Sequence, residues 1–381
     1  MQPLDNIRVL DFTTLLPGPF ATLILAEAGA EVIKIERPGG EEMRAALPKF
    51  GHSSVLFSML NRGKKSIEID LKQDGAAASL TPLIESADVL IEQFRPGVMA
   101  RLGLGWDAVH AINPKLVYCS ITGYGQTGPK ADIAGHDLNY CADTGFLSIT
   151  HDGTGKPMIP QTQIADIGAG TYPAVMNIMF ALWGRERSGV GAYLDVAMTD
   201  NMFPFMWMPL ALGHALGQWP EGNDLRLTGA SARYQVYRTA DDGHVSVGAL
   251  EQKFWDNLCD CIELDDALRD DERDPQATID GVAALFAARP TKDWESRLLG
   301  KDVCAVVIRS IDEAIADIHH QARGLFAHDI ASDQQTLPAL PVPVVTHLRG
   351  DSKTGAGPAL GSANALMFEP RGAAAPNAEE S

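Results

Sequence analysis

The feature that most constrains this chain is a strand–helix alternation running through its first 121 residues. Residues 7–12 form a short apolar run, Pro17-Gly18-Pro19 makes a turn, and residues 20–28 have helical composition stopped by Gly29. Residues 31–36 form a second apolar run, closed by Pro38-Gly39-Gly40. The rhythm returns with apolar runs at 66–71, 89–92 and 116–121, separated by helical stretches at 76–85 and 106–112. Strands alternating with helices predict an α/β fold with a mostly parallel sheet covered on both faces.

At 381 residues the chain exceeds what one core organises, so two domains are expected. The pattern changes near residue 230. Residues 234–238 and 244–248 flank Asp241-Asp242-Gly243 and read as a hairpin. Helical stretches at 276–288, 291–299 and 311–320, with an apolar run at 303–308, complete a smaller α+β unit. The Gly/Ala/Pro-rich end, 369–381, is expected to be a disordered tail.

Apolar residues make up 45% and charged residues 21%, the balance of a soluble globular protein. The longest apolar stretch, 172–183, is too short to span a bilayer, and the run 202–212 is broken by Pro204 and Pro209. No basic, apolar signal sequence opens the chain, so a cytoplasmic location is expected. Among five cysteines, Cys259 and Cys261 form a C-x-C pair with no second Cys or His pair at metal spacing. Reduced thiols and no metal are expected.

A net charge of −18 argues against nucleic acid or an anionic membrane as partner. Residues 1–130 carry 13 Lys and Arg against 14 Asp and Glu, so the remainder holds −17 of that charge. Cations are therefore concentrated, in relative terms, at Arg37, Arg62, Lys64, Lys65, Lys72, Arg95 and Arg101. A phosphorylated ligand would be held there, or the region is an ordinary mixed surface.

The run at 116–121 feeds a Gly-rich loop, 123–140, that delivers His136 beside Asp137. Gly123, Gly125 and Gly128 satisfy G-x-G-x-x-G, but Pro129 and a stretch without helical period follow, which excludes a nicotinamide site. A strand ending in glycines and presenting a titratable pair suits a reaction centre at the carboxyl edge of a sheet. Further on, Asp166-Ile167-Gly168-Ala169-Gly170 precedes an apolar helix predicted over 172–183 and ending near Gly189. Asp166 reads equally as its N-cap or as a functional group beside free helix-start N–H groups. Residues 198–219, with Met198, Met202, Met206 and Met208, read as core, as interface or as a plastic surface for acyl chains. Glu251 falls near the start of another helix, where a carboxylate complements the dipole.

Several stretches together resemble the family III CoA-transferase superfamily and, within it, the α-methylacyl-CoA racemases. They are Leu16-Pro17-Gly18-Pro19-Phe20, residues 29–38, Arg62-Gly63-Lys64-Lys65-Ser66, residues 69–72, 94–98, 101–105 and 123–129, and Asp195-Val196-Ala197-Met198. The resemblance implies an interlocked homodimer, a Rossmann-like large domain completed by the C-terminal segment, and an inserted small domain. The expected division is residues 1–200 for the large domain, 201–229 for a linker, 230–325 for the small domain and 326–368 for the return segment. It implies an acyl-CoA substrate and no cofactor, coenzyme A entering as part of the substrate. Carried over position by position, the CoA contacts fall on Arg37, Ile69, Asp70, Leu71, Lys72, Gln93, Phe94, Arg95 and Arg101. Gly135, Leu138, Asn139 and Tyr140 complete the substrate-binding set.

Two chemistries share such a scaffold. Transferases use an aspartate nucleophile, and racemases exchange the proton α to the thioester carbonyl. Asp166 matches the aspartate of both. His136, in Gly135-His136-Asp137-Leu138-Asn139-Tyr140, and Glu251, in Gly248-Ala249-Leu250-Glu251, resemble the racemases. Racemisation of 2-methylacyl-CoA through an enolate is therefore expected, with CoA transfer through an Asp166 acyl-enzyme as the alternative. Asp137 or Glu251 is expected to bond the second imidazole nitrogen of His136.

Overall fold

Each apolar run becomes one strand. In the computed structural model, which describes residues 2–152, 154–222, 225–333, 335–350 and 354–368, these are β1 (Arg8–Asp11), β2 (Glu31–Glu36) and β3 (Lys65–Glu68). They continue with β4 (Val89–Glu92), β5 (Val117–Thr122) and β6 (Tyr193–Ala197). All pair in parallel, in the order β3-β2-β1-β4-β5-β6. That is the strand order of a Rossmann fold, which reverses between β1 and β4, and ligands of such sheets bind outside the carboxyl ends at that reversal.

β1, β4 and β5 are buried at every position. The connecting helices include α1 (Pro17–Glu27), α2 (Val55–Asn61), α3 (Thr81–Ser86) and α4 (Trp106–Ile112). Leu10, Ile33, Ile67 and Leu90 meet Leu83 and Val109 in one core. Each such side chain contributes about 1.5–3 kcal/mol by leaving water.

After β5 come α5 (Asp137–Asp143) and α6 (Tyr172–Ser188). The helix predicted to start near residue 172 begins earlier. Ile164–Thr171 wind as a π-helix that continues into α6, and Gly189 at φ 69° ends it. The glycines explain the tight seat. A Cβ on Gly168 would come 2.7 Å from the Phe205 ring, and one on Gly170 3.1 Å from the Met198 side chain. Asp166 is therefore inside the first helical turn, and Gln163 occupies the N-cap.

The chain divides into two compact units, the first comprising residues 1–144, 159–205 and 321–381, the second 145–158 and 206–320. The second takes in the stretch expected as a linker, 201–229, only from residue 206 on, and there it forms α7 (Trp207–Leu216). The predicted hairpin is β7 (Tyr234–Arg238) against β8 (His244–Gly248), with β9 (Ala305–Val307) on its other side. α8 (Gln252–Ile262) buries Trp255, Leu258, Cys259 and Ile262, the i, i+3, i+4, i+7 stripe of an amphipathic helix. They pack with Phe286 of α9 (Pro275–Ala287) and Trp294 of α10 (Thr291–Leu298).

The later chain returns to the first unit. β10 (Asp329–Ala331) pairs with β11 (Thr336–Pro338) and β12 (Thr354–Gly355), apart from the six-stranded sheet. Arg349 bonds Glu27 at 2.6 and 2.8 Å, and Val342 packs on Phe20 and Leu23. The tail expected over 369–381 lies outside the described residues. Among the described residues no helix is long and apolar enough to cross a membrane.

Candidate active site

The loop after β5 is shaped by one aromatic ring. Tyr140 packs where a Cβ on Gly123 would come within 2.4 Å and one on Gly135 within 2.6 Å, so both positions require glycine. Its hydroxyl donates to the Gly135 carbonyl at 2.5 Å. His136 thereby becomes the N-cap residue of α5, with its N–H accepted by Asn139 Oδ1 at 3.0 Å. The loop is held from the sheet as well, since Asp195 Oδ2 accepts the Gln126 N–H at 2.9 Å.

His136 and Asp166 line one cavity of about 380 Å³ at the carboxyl edge, with Gln93, Arg95, Asn139 and Tyr140. His136 is exposed and Asp166 half-buried. Burial, and then the nearby Asp137 charge, push the Asp166 carboxyl up to about 6, against the opposing pull of His136. Asp137 does not turn to the imidazole as expected. Its Oδ1 accepts the Asp166 N–H at 2.9 Å, and its Oδ2 lies 3.9 Å from the Cys141 thiol. That bond also removes the Asp166 N–H from the donors expected near it. The first-turn N–H groups of Asp137 and Leu138, next along α5 from His136, are left without intrahelical acceptors by the helix start. Glu251 belongs to the second unit, where it is exposed at the N-cap of α8 and its carbonyl accepts from Phe254 and Trp255.

A second cavity of about 300 Å³ gathers Arg37, Ile69, Asp70, Leu71 and Lys72, and Phe94 forms a wall of both cavities. Leu138 is exposed on α5, and Arg101, also exposed, ends the short helix Val98–Arg101. Not all the cations singled out by charge are free for a ligand. Lys64 is fully buried and bonds Asp11 Oδ2, Thr22 Oγ1, Asn61 Oδ1 and the Pro19 carbonyl. Burial pulls its ammonium down to about 8, although Asp11 opposes this. Arg62 pairs with Glu27 at 2.7 Å and Lys65 with Glu31 at 2.5 Å. Arg37, though paired with Glu42 at 2.8 Å, stays exposed. These partners are 53 residues apart for Lys64 and Asp11, too far for sequence pattern to pair them. Glu92, a buried carboxylate that accepts the Phe94 N–H, and Asp195, an exposed one that accepts the Gln126 N–H, were not singled out either; for Glu92 the one signal was a carboxylate ending an apolar strand just before a loop.

An open parallel sheet with a titratable cluster and an adjoining cavity at its reversal point is the arrangement in which α/β proteins take ligands across the carboxyl edge. The chain belongs to CoA-transferase family III, whose family model matches residues 4–364. Among its relatives, alpha-methylacyl-CoA racemase of Homo sapiens is 33% identical over 352 residues, covering 90% of this chain and 86% of the relative. Succinate–glutarate CoA-transferase of Agrobacterium fabrum is 36% identical over 365 residues, covering 90% and 89%. The crystal structure of Rv3272 from Mycobacterium tuberculosis in its orthorhombic form superposes with a TM-score of 0.82 at 29% identity, over 96% of this chain and 99% of that one. A CAIB/BAIF family protein from Brucella suis gives 0.81 at 29% identity, over 96% and 98%.

Proposed function

We propose that the protein racemises 2-methylacyl-CoA thioesters by exchanging the proton α to the carbonyl through an enolate. The observation that carries this reading is a carboxyl raised to about 6, Asp166, in the same cavity as the imidazole of His136. Inversion at carbon needs a proton acceptor on one face and a donor on the other. In one direction His136 takes the α-proton and protonated Asp166 returns one to the opposite face. In the other direction the roles exchange. A carboxyl titrating near 6 can serve in either form at neutral pH. As the C–H electron pair moves toward the thioester oxygen, that oxygen needs donors, and we assign the Asp137 and Leu138 N–H groups to it.

In this reading the adenosine end of coenzyme A occupies the second cavity, and Arg37, Lys72 and Arg101 neutralise its phosphates. The pantetheine passes Phe94 to place the thioester beside Gln93, Arg95 and the acid–base pair. The chemistry needs no cofactor besides the coenzyme A that arrives on the substrate. A second copy of the chain, interlocked with the first, covers α6, whose Met176, Phe180 and Trp183 are 54, 66 and 67% exposed on one stripe. Light scattering at the mass of one chain would remove the dimer from this reading.

The test of the reaction is α-proton exchange in deuterated water with each enantiomer of a 2-methylacyl-CoA. His136→Ala is expected to lower exchange by at least ~10²-fold, the usual contribution of a general base. Undiminished exchange in that variant would remove His136, and the racemase reading with it.

The similarity to the Agrobacterium transferase favours a second reading. There the Asp166 carboxylate attacks the thioester carbonyl and expels coenzyme A as thiolate, leaving a mixed anhydride; the thiolate then attacks the Asp166 carbonyl, releases the first acid and leaves an Asp166–CoA thioester, from which the acceptor acid takes coenzyme A by the reverse steps. Hydroxylamine would trap that acyl group on Asp166. Turnover on a broad panel of acids with no trapped adduct would exclude it.

A further inference from the structure

Glu92 is a buried carboxylate with no part in the chemistry above. It ends β4 on the edge of the sheet reversal and is 3% exposed. Its Oε2 accepts the Phe94 N–H at 2.8 Å, two residues on. The bond turns the chain out of the sheet at the point where Gln93, Phe94 and Arg95 begin to line the cavities. Gln93 then fixes the far side, because its Oε1 accepts the Gly18 N–H at 3.0 Å in the first turn of α1. Only glycine fits there, since a Cβ on Gly18 would lie 2.3 Å from Thr13 and 2.6 Å from Gln93 Oε1. The other end of Glu92 is also tied down. Ser120 of β5 bonds its carboxyl, and Ser120 Oγ in turn reaches Tyr193 Oη of β6 at 3.4 Å. The segment 93–95 is thus suspended between a carboxylate anchored across β4, β5 and β6 and the start of α1.

Asp11 makes the same use of its carboxylate one strand over, where Oδ1 accepts the Thr13 N–H at 2.9 Å. The two loops on either side of the sheet reversal therefore leave their strands by the same device. Phe94 is the wall common to both cavities, so the Glu92 bond fixes their spacing.

We propose that Glu92 is a positioning residue for CoA-thioester binding, acting by holding the Phe94 N–H and with it the wall between the two cavities. The inference rests on the acyl-CoA reading and deepens it. A carboxylate or an amide oxygen can accept that N–H, and a hydrocarbon cannot.

The experiment compares Glu92→Gln and Glu92→Leu with wild type, using isothermal titration with coenzyme A and turnover with a 2-methylacyl-CoA. Glu92→Gln is expected to stay within about threefold of wild type in Kd and KM. Glu92→Leu, which leaves the Phe94 N–H without that acceptor, is expected to raise both about tenfold while kcat changes less than threefold. If Glu92→Leu does not fold, Glu92→Met replaces it, since its unbranched side chain matches Glu in length and offers no oxygen to that N–H. Glu92→Leu or Glu92→Met binding like wild type would overturn the inference, as would a fall in kcat with KM unchanged, or equal loss in the Gln variant. Failure of wild type to bind coenzyme A at all would instead sink the acyl-CoA reading, which separates the two.

Discussion

Asp137 Oδ1 accepts the backbone N–H of Asp166 at 2.9 Å, so the first residue of α5 holds the carboxyl-bearing turn of the π-helix in place. The same carboxylate, after burial, is the second cause of the raised Asp166 pKa. Position and acidity of Asp166 are thereby tied to one neighbour.

Asp137→Asn separates those two effects. The amide oxygen can still accept the N–H, but the negative charge is gone, so the Asp166 pKa should fall from about 6. The acidic limb of the exchange rate against pH, in the direction where Asp166 is the base, should move to lower pH. A limb that stays in place would show that Asp137 does not set this acidity.

Asp166 also links stability to pH. Its folded pKa, about 6, lies above the ordinary aspartate value of 3.8, so the folded state binds the proton more tightly. The stability this contributes is fully present below 3.8 and lost as pH rises through about 6. Asp166→Asn should therefore stabilise the protein at pH 8 by about 1–2 kcal/mol, the full shift being discounted for partial exposure, and much less at pH 4. Urea midpoints at the two pH values test this, and equal differences at both would refute it.

Two adjacent lysines should differ sharply. Lys64 is sealed against Asp11, whereas Lys65 meets Glu31 at the surface. Lys64→Met leaves the Asp11 charge buried without its partner and is expected to cost about 3–5 kcal/mol. Lys65→Met should cost less than about 1 kcal/mol. Chemical denaturation of the two variants side by side decides it, comparable losses being the contrary result.

Gly123→Ala should disturb the site through Tyr140. The added methyl would come 2.4 Å from the ring, so the ring or the loop carrying His136 must shift. A fall of at least about tenfold in kcat/KM is expected, since small displacements of a catalytic base are costly. Gly128 has open space around it and φ 95°, so Gly128→Ala should cost only backbone strain, about 1–2 kcal/mol, with kcat/KM within about threefold. Equal kinetic effects of the two would contradict the packing argument.

Much of the architecture was legible because it is written in local periodicity. The hairpin at β7 and β8 falls on the predicted residues, with Asp242 at φ 64° in its turn. The apolar run at 89–92 is β4 itself. The candidate site was legible as far as its residue types: His136 and Asp166 sit in one cavity, and Ile69 to Lys72 in another. Where local signals competed, the sequence was ambiguous. Asp166 has the chemistry of an N-cap, but the buried Ala165 and Ala169 and the close-packed glycines carry the helix past it.

The sequence alone determined the α/β alternation, the second unit's hairpin and amphipathic helix, and the family, since each depends on residues near one another in the chain. Only the tertiary structure decided which charges face a ligand and which are locked away. It sealed Lys64 against Asp11, turned Asp137 toward Asp166, and set Glu92 under Phe94. The physical reason is that burial and hydrogen bonding are made between distant segments. A side chain's charge, acidity and reach depend on what the fold brings against it, and no local pattern carries that information.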